Sequence, residues 1–208
     1  ACDFQAKKIH KIEQAASNGD PSSQKKLADM YRYGMNEKQD DAKAKLWYTK
    51  AAMQGNADAQ FTLGLMYYEP ENAPKDYDQA KAWFEKAADQ GNSSAQILLA
   101  RMYQNGDGVT QNDSQALFWL KKASDQQNPE AEYELGRMYY KGIGINQDYV
   151  QAASLFERAN NQGYAQASFI LGFMYYNGYG VKKDYGQAKA LFSNAAKYVD
   201  SNAQYYLG

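Results

Sequence analysis

The sequence predicts an all-α solenoid of tandem helix-loop-helix units, and three observations carry that expectation. The first is a fixed interval. Leu27, Leu63, Leu99, Leu135, Leu171 and Leu207 lie 36 residues apart, and so do Met30, Met66, Met102, Met138 and Met174. Tyr31, Tyr67, Tyr103, Tyr139 and Tyr175 keep the same step, as do two alanine registers, Ala15 to Ala195 and Ala44 to Ala188. Self-similarity at such a period is the mark of a repeat architecture. The second is the apolar spacing inside one unit. Ala59, Leu63, Met66 and Tyr67 fall at i, i+4, i+7 and i+8, and Ala80, Trp83, Phe84, Ala87 and Ala88 repeat that stripe after an interruption, so each unit holds two amphipathic helices. The third is the interruption itself. Gly106 and Gly108, Gly142 and Gly144, and Gly178 and Gly180 supply positive φ where the chain must turn out of the first helix.

Read in order, residues 1–20 form an N-terminal capping half-repeat. Within it, residues 4–18 align with a second helix (helix B), but Lys8 and Lys11 stand where later units have Ala80 and Trp83; that face is a solvated cap. Five repeats follow over 21–56, 57–92, 93–128, 129–164 and 165–200, and 201–208 begin a further first helix (helix A) that either closes the stack or continues into a longer protein. Helix B opens at Asp76, Asn112, Asp148 or Asp184, each with a Gln three residues on, which is a capping-box arrangement. Gly55, Gly91 and Gly163 end helix B, and the next helix A starts almost at once. A lone pair of short helices buries too little apolar surface to offset the entropy of ordering it, so the units must stack.

Composition narrows the function classes. The 208 residues contain no Pro- or Ser-rich linker, and 23 Lys plus Arg against 24 Asp plus Glu leave a net charge of -1. That balance gives no reason to expect nucleic acid or an anionic membrane as partner. No apolar run approaches the roughly 18–20 residues a membrane span needs, and no charged-then-apolar leader opens the chain. One Cys allows no internal disulfide. His10 and Cys2 are the only residues of their kinds, so no Cys/His pair and no zinc-ligand spacing exists. The acids that recur at helix B are caps, and the Gly-x-Gly loops lack the strand-turn-helix setting of a nucleotide site. No catalytic residue, metal or cofactor is therefore expected, and the reading is a protein-binding chain rather than an enzyme; a paired-carboxylate hydrolase is the alternative of another class.

At this point the motifs carry a resemblance. Ala-x-x-x-Leu-Gly-x-Met-Tyr at 59–67, 131–139 and 167–175, Gly-x-Gly-Val/Ile at 106–109, 142–145 and 178–181, Asp-Tyr-x-x-Ala at 76–80, 148–152 and 184–188, and Ala-Ala-x-x-Gly at 87–91 resemble Sel1-like repeats, of the tetratricopeptide-like superfamily. Two loops depart from the pattern: Glu69-Pro70-Glu71-Asn72-Ala73-Pro74, and the first loop, where Gly34 has no second glycine. The resemblance implies a right-handed α-solenoid (superhelix) with helices A on the concave face and helices B outside. It implies an adaptor or regulator of protein complexes, and some bacterial members are similar in role to immunity proteins that block a toxic phospholipase effector. Members of the family are common in bacterial envelopes and in the endoplasmic reticulum; a lone Cys and frequent Asn and Gln suit a periplasmic or envelope-associated location, with the cytoplasm as the alternative.

A partner would meet the face of helix A opposite to helix B. The residues expected there are Phe61, Ile97, Tyr133 and Phe169 in one register, Leu65, Arg101, Arg137 and Phe173 in a second, and Tyr68, Gln104, Tyr140 and Tyr176 in a third. Tyr and Phe bring large contact area at low entropy cost, and Arg forks onto carboxylates. Helices A about 10 Å apart would form a groove on the order of 40 Å long, room for an extended peptide of about 12 residues. Against this, an aromatic at 61 is equally read as half core. Arg101 and Arg137 are equally read as solvated charges or as paired to Glu130 or Glu134, and Tyr149, Tyr179 and Tyr185 as packing on the next repeat ahead of forming a binding rim. Tyrosine at 68 has no packing role evident in sequence. Ala1-Cys2-Asp3 fits the end of a lipoprotein signal with Cys2 acylated, a lipid anchor, or equally an ordinary free Cys. The expected assembly is a monomer or a heterodimer with its protein partner.

Overall fold

A computed structural model describes residues 2–35, 38–71 and 73–198, with side chains from Lys7 to Lys197. The Cys2 side chain and the further helix expected at 201–208 lie outside the described residues. The helices are α1 (Cys2–Ser17), α2 (Pro21–Tyr33), α3 (Asp41–Met53), α4 (Ala57–Tyr68), α5 (Tyr77–Asp89), α6 (Ser93–Asn105), α7 (Asp113–Asp125), α8 (Pro129–Lys141), α9 (Tyr149–Asn161), α10 (Ala165–Asn177) and α11 (Tyr185–Tyr198). No strand occurs among the described residues. The all-α repeat solenoid is the fold class found, in two compact units, Ala1–Leu99 and Ala100–Gly208. In the first, α1 packs on α2, α2 on α3, α3 on α4 and α4 on α5; in the second, α7 to α11 pack each on the next.

Most of the helices begin where a short polar side chain takes a backbone N–H. Asp40, Asn56, Asp76, Asn112 and Asp148 accept from the amide three residues on, at 2.9, 2.9, 3.0, 3.1 and 3.0 Å, satisfying one of the free donors of a helix start. Helices A end on left-handed glycines such as Gly142 (φ 71°) and Gly178 (φ 77°). Helices B end similarly, at Gly55 (φ 90°) and Gly163 (φ 83°), but one repeat puts Gln127 (φ 60°) in that place. The second loop glycine does more than turn. A Cβ on Gly180 would lie 2.1 Å from the Tyr149 carbonyl oxygen, and one on Gly144 2.7 Å from Asp113 Cβ, so these loops seat on the preceding repeat's helix B through a gap that only glycine fits.

In four of the five repeats the core sets a small residue of helix A in register with an aromatic of helix B, Tyr48, Phe84, Phe156 or Phe192. A Cβ at Gly64, Gly136 or Gly172 would meet the ring of Phe84, Phe156 or Phe192 at 2.6, 2.8 or 3.0 Å. Where helix A has an alanine instead, Ala100, the facing residue is the smaller Leu120, and both are buried. At Ala28 the facing residue is Tyr48, whose hydroxyl donates to Asp29 Oδ1 at 2.6 Å; burial pushes the Tyr48 pKa up, and the bond to Asp29 adds to it.

A buried polar ladder joins successive helices. In the first unit, Gln24, Gln60 and Gln96 donate to the carbonyls of Ala16, Ala52 and Ala88 at 3.1, 3.0 and 3.0 Å. Gln54 and Gln90 in turn donate to Gln24 and Gln60 at 2.7 and 2.8 Å. Gln24 and Gln60 thus each close the end of one helix B and receive the end of the next, so these buried groups are satisfied. In the second unit this position holds Glu132 and Ser168.

Candidate partner-binding face

The registers expected to face a partner divide between core and surface. In the first unit Ile97 is 4 % and Tyr68 6 % exposed. The expectation that tyrosine at 68 lacks a packing role is corrected: its ring lies edge-on to Phe84 at 6.0 Å and against Tyr77 at 5.5 Å. The reason is positional, since the last turn of helix A faces the first residue of helix B across the loop. Tyr140 meets Tyr149 at 5.2 Å and Tyr176 meets Tyr185 at 5.3 Å in the same way. The first register also reaches round to helix B rather than standing opposite it: Phe61, Tyr133 and Phe169 lie 6.0, 5.8 and 5.7 Å from Phe84, Phe156 and Phe192. These rings are half-buried, as are Leu65, Gln104, Tyr140 and Phe173. Arg101 and Tyr176 are exposed.

Tyr149 stacks on Tyr179 of the next repeat at 5.1 Å with planes 14° apart, and Phe173 approaches Tyr179 at 6.1 Å. The Tyr140 hydroxyl, held among these rings, has its pKa raised by burial first and by Tyr149 and Tyr179 next.

The second unit assembles one charged and aromatic cluster. Arg101 Nη2 donates to Glu130 Oε1 at 3.2 Å, bridging two repeats. Arg137 Nη1 pairs with Glu134 at 2.9 Å within α8, and its guanidinium carbon lies 5.9 Å from the centre of the Tyr133 ring. Tyr164 lies 5.2 Å from Tyr133. Burial, then Glu130 and Glu134, push its pKa up to about 12. Burial likewise raises Tyr133.

Tyr164 was not among the residues singled out from the sequence. The signal was there: it stands at a helix start where the other repeats carry Asp20, Asn56, Asn92 and Asn128. Those side chains cap their helices, whereas α10 starts with no side-chain cap bond and only the Tyr164 carbonyl receives Ala167 N at 3.0 Å. An Asn, Asp or Ser to uncapped exchange costs about 1 kcal/mol, and what it yields here is an aromatic surface.

Among the described residues no group of His, Cys, Asp and Glu could hold a metal ion, and no helix is long and apolar enough to cross a membrane. His10 is exposed, 3.9 Å from Glu13.

These are the features of a helical-repeat scaffold, paired helices stacked through glycine-aromatic cores with side chains left over on helix A. The chain belongs to the Sel1 repeat family, which matches residues 21–56, 57–92, 93–128, 129–164 and 165–197. It is similar to a protective antigen present in uropathogenic Escherichia coli strains, a protein displaying an SLR fold, at 36 % identity and TM-score 0.90 over 94 % of this chain and 42 % of that one. A Sel1 repeat protein from Oxalobacter formigenes is 36 % identical, with TM-score 0.86 over 96 % of this chain and 58 % of its own. An immunity protein from Pseudomonas aeruginosa shares the fold at 23 % identity and TM-score 0.57, over 91 % of this chain and 72 % of that one. This chain thus spans about half the length of the first two. No curated protein matches.

Proposed function

We propose that this chain is a non-catalytic scaffold that holds a protein partner through the helix A side chains left outside the core, centred in the second unit on Arg101, Tyr133, Arg137 and Tyr164. The observation that carries the reading is the exchange of a helix cap for Tyr164, whose ring lies against Tyr133, the ring that Arg137 approaches, and which feels the charge of Arg101. A side-chain cap is given up there for a ring that packs on the edge of the α9–α10 core and on Tyr133, and such departures from local folding rules gather at functional surfaces. Aromatic and Arg side chains are also the types that dominate binding energy at interfaces. Tyr140, Phe169, Phe173 and Tyr176 extend the surface, whereas Tyr68 and Ile97 contribute through packing.

In its finer form the partner is a secreted toxic effector, such as a phospholipase, and the chain acts as an immunity protein in the periplasm or envelope. The sharing of this fold with an immunity protein supports that form. The second reading is an adaptor in the assembly of a cell-envelope complex, favoured by the greater length of two relatives, of which this chain covers 42 % and 58 %.

Affinity capture from the source cell tests the proposal. A Tyr164→Asn variant restores the cap, about 1 kcal/mol, and loses the ring contact with Tyr133, roughly 0.5–1.5 kcal/mol, so its stability stays near the parent's. Partner capture by it and by the Arg137→Ala/Tyr140→Ala variant is expected to fall at least about tenfold, the mark of a lost anchor. Undiminished capture by both variants removes this face as the binding site. A single partner in one-to-one ratio speaks for the immunity form, several partners for the adaptor.

A further inference from the structure

We propose that the first unit carries a separate small-ligand site, a pocket of about 260 Å³ beside Arg32 that takes a carboxylate borne on a group the size of one amino acid. Two departures from the repeat meet there. In three repeats the end of helix A is closed by a tyrosine pair, Tyr68–Tyr77, Tyr140–Tyr149 and Tyr176–Tyr185, at 5.5, 5.2 and 5.3 Å. In the repeat at 21–56 the same two positions are Arg32 and Asp41, both of which line the pocket. The opposite wall is Glu69 and Pro70, from the loop after α4 that lacks the Gly-x-Gly turn. The two departures share one cavity.

The lining states what fits. Arg32 Nη1 is buried with no hydrogen-bond acceptor among the described residues. A guanidinium stays charged at all ordinary pH, and a buried charged donor without an acceptor is costly enough that something normally completes it. Lys45, half-buried on the same wall with its Nζ 3.9 Å from the centre of the Tyr67 ring, adds a second positive charge, while Glu69 is exposed at the rim. Asp41 is half-buried on the same lining and Glu71 is exposed, so two cations meet three carboxylates there, and it is the buried Arg32 Nη1 without an acceptor that singles out an anionic group as the occupant. Met66 and Pro70 supply the apolar wall. The volume falls below the roughly 300–1,000 Å³ of sites for drug-sized molecules, which limits the occupant to about one residue. A carboxylate on Arg32 gains charge-assisted hydrogen bonds, and it can come from a free α-amino acid or from the C-terminus of a peptide.

Amide NMR titration of the full chain tests this with three probes: N-acetyl-L-alanine, L-alanine, and N-acetyl-L-alanine methylamide, which has no carboxylate. Saturable shifts at Met66, Glu69 and Glu71 are expected with N-acetyl-L-alanine and none with the methylamide. Response to L-alanine as well assigns free amino acids as occupants; response to N-acetyl-L-alanine alone assigns a peptide C-terminus. Arg32→Gln is expected to weaken binding about tenfold or more and Lys45→Gln about threefold. Arg32→Lys, which keeps the charge and loses the fork, gives an intermediate loss and serves if Arg32→Gln unfolds by circular dichroism. The proposal is overturned if neither carboxylate gives a saturable shift, if the methylamide binds as well, or if both Arg32 variants bind like the parent. Partner capture is untouched by these outcomes, so the two proposals fail separately.

Discussion

Glu132 stands where three other repeats place a glutamine, and it is fully buried. The exchange removes the donor that each glutamine offers to the preceding helix B, leaving the Ser124 carbonyl to find another. Arg158 supplies it, donating Nη2 to that carbonyl at 3.3 Å while its charge lies 2.5 Å from Glu132 Oε1. That close approach is an ion-pair contact rather than a directed hydrogen bond, since Oε1 has no well-aligned donor; Gln162 donates to Oε2 at 2.8 Å. Arg158 takes the place of Lys50, Lys86 and Lys122, which instead lie 4.2–5.1 Å from the rings of Trp47, Trp83 and Trp119. The two changes compensate each other. Arg158→Ala therefore leaves a buried carboxylate without its counter-charge and is expected to lower stability by about 3 kcal/mol, read from urea unfolding. Adding Glu132→Gln should restore most of that, because the amide can donate to Ser124 directly. A double variant as unstable as Arg158→Ala would refute the pairing. Neither residue stands out in the sequence except by comparison between repeats, since 26 positions separate them.

At the scale of the element, the glycine in the middle of helix A looks like a defect, because glycine costs about 1 kcal/mol against alanine in a helix interior. It is kept because the facing helix B puts a phenylalanine ring into the space of its Cβ. Gly136→Ala is thus expected to lose about 1 kcal/mol net, an overpacking penalty of roughly 1–3 kcal/mol partly offset by the gain in helix propensity. Combined with Phe156→Leu, it reproduces the Ala100–Leu120 pairing already present in another repeat, and the pair should be more stable than the sum of the single changes. Thermal unfolding of the four proteins measures that coupling; strictly additive effects would mean the ring and the glycine do not constrain each other. The helices themselves, their caps and their stop glycines were legible in the sequence, because each rests on residues within one turn of the boundary. The second loop glycine was legible only as a turn. Its closer constraint, the Tyr149 backbone against Gly180, belongs to the neighbouring repeat.

Across the whole molecule, tyrosine carries a shared pH sensitivity. Burial raises the pKa of Tyr48, Tyr133, Tyr140 and Tyr164, and a hydrogen bond to Glu157 at 2.8 Å raises that of Tyr175. The unfolded chain ionises near the ordinary value of 10 while the folded one holds its protons, to about 12 for Tyr164. The folded state therefore binds more protons in that window, and stability, complete below about pH 10, falls as pH rises toward 12 and beyond. Urea midpoints at about pH 9 and pH 11 should differ accordingly, with tyrosinate absorbance rising together with loss of helix; an unchanged midpoint would contradict the burial of these hydroxyls. The sequence by itself determined the period, the paired helices and their ends, because stripes, caps and glycines act through neighbours a few residues away. Packing between helices settled the rest: that Tyr68 is buried, that Tyr164 lies against Tyr133 within reach of the charge of Arg101, and that Arg32 lines a pocket. Those outcomes depend on which side chains meet across helices, and packing in three dimensions, unlike helical periodicity, has no fixed spacing along the chain.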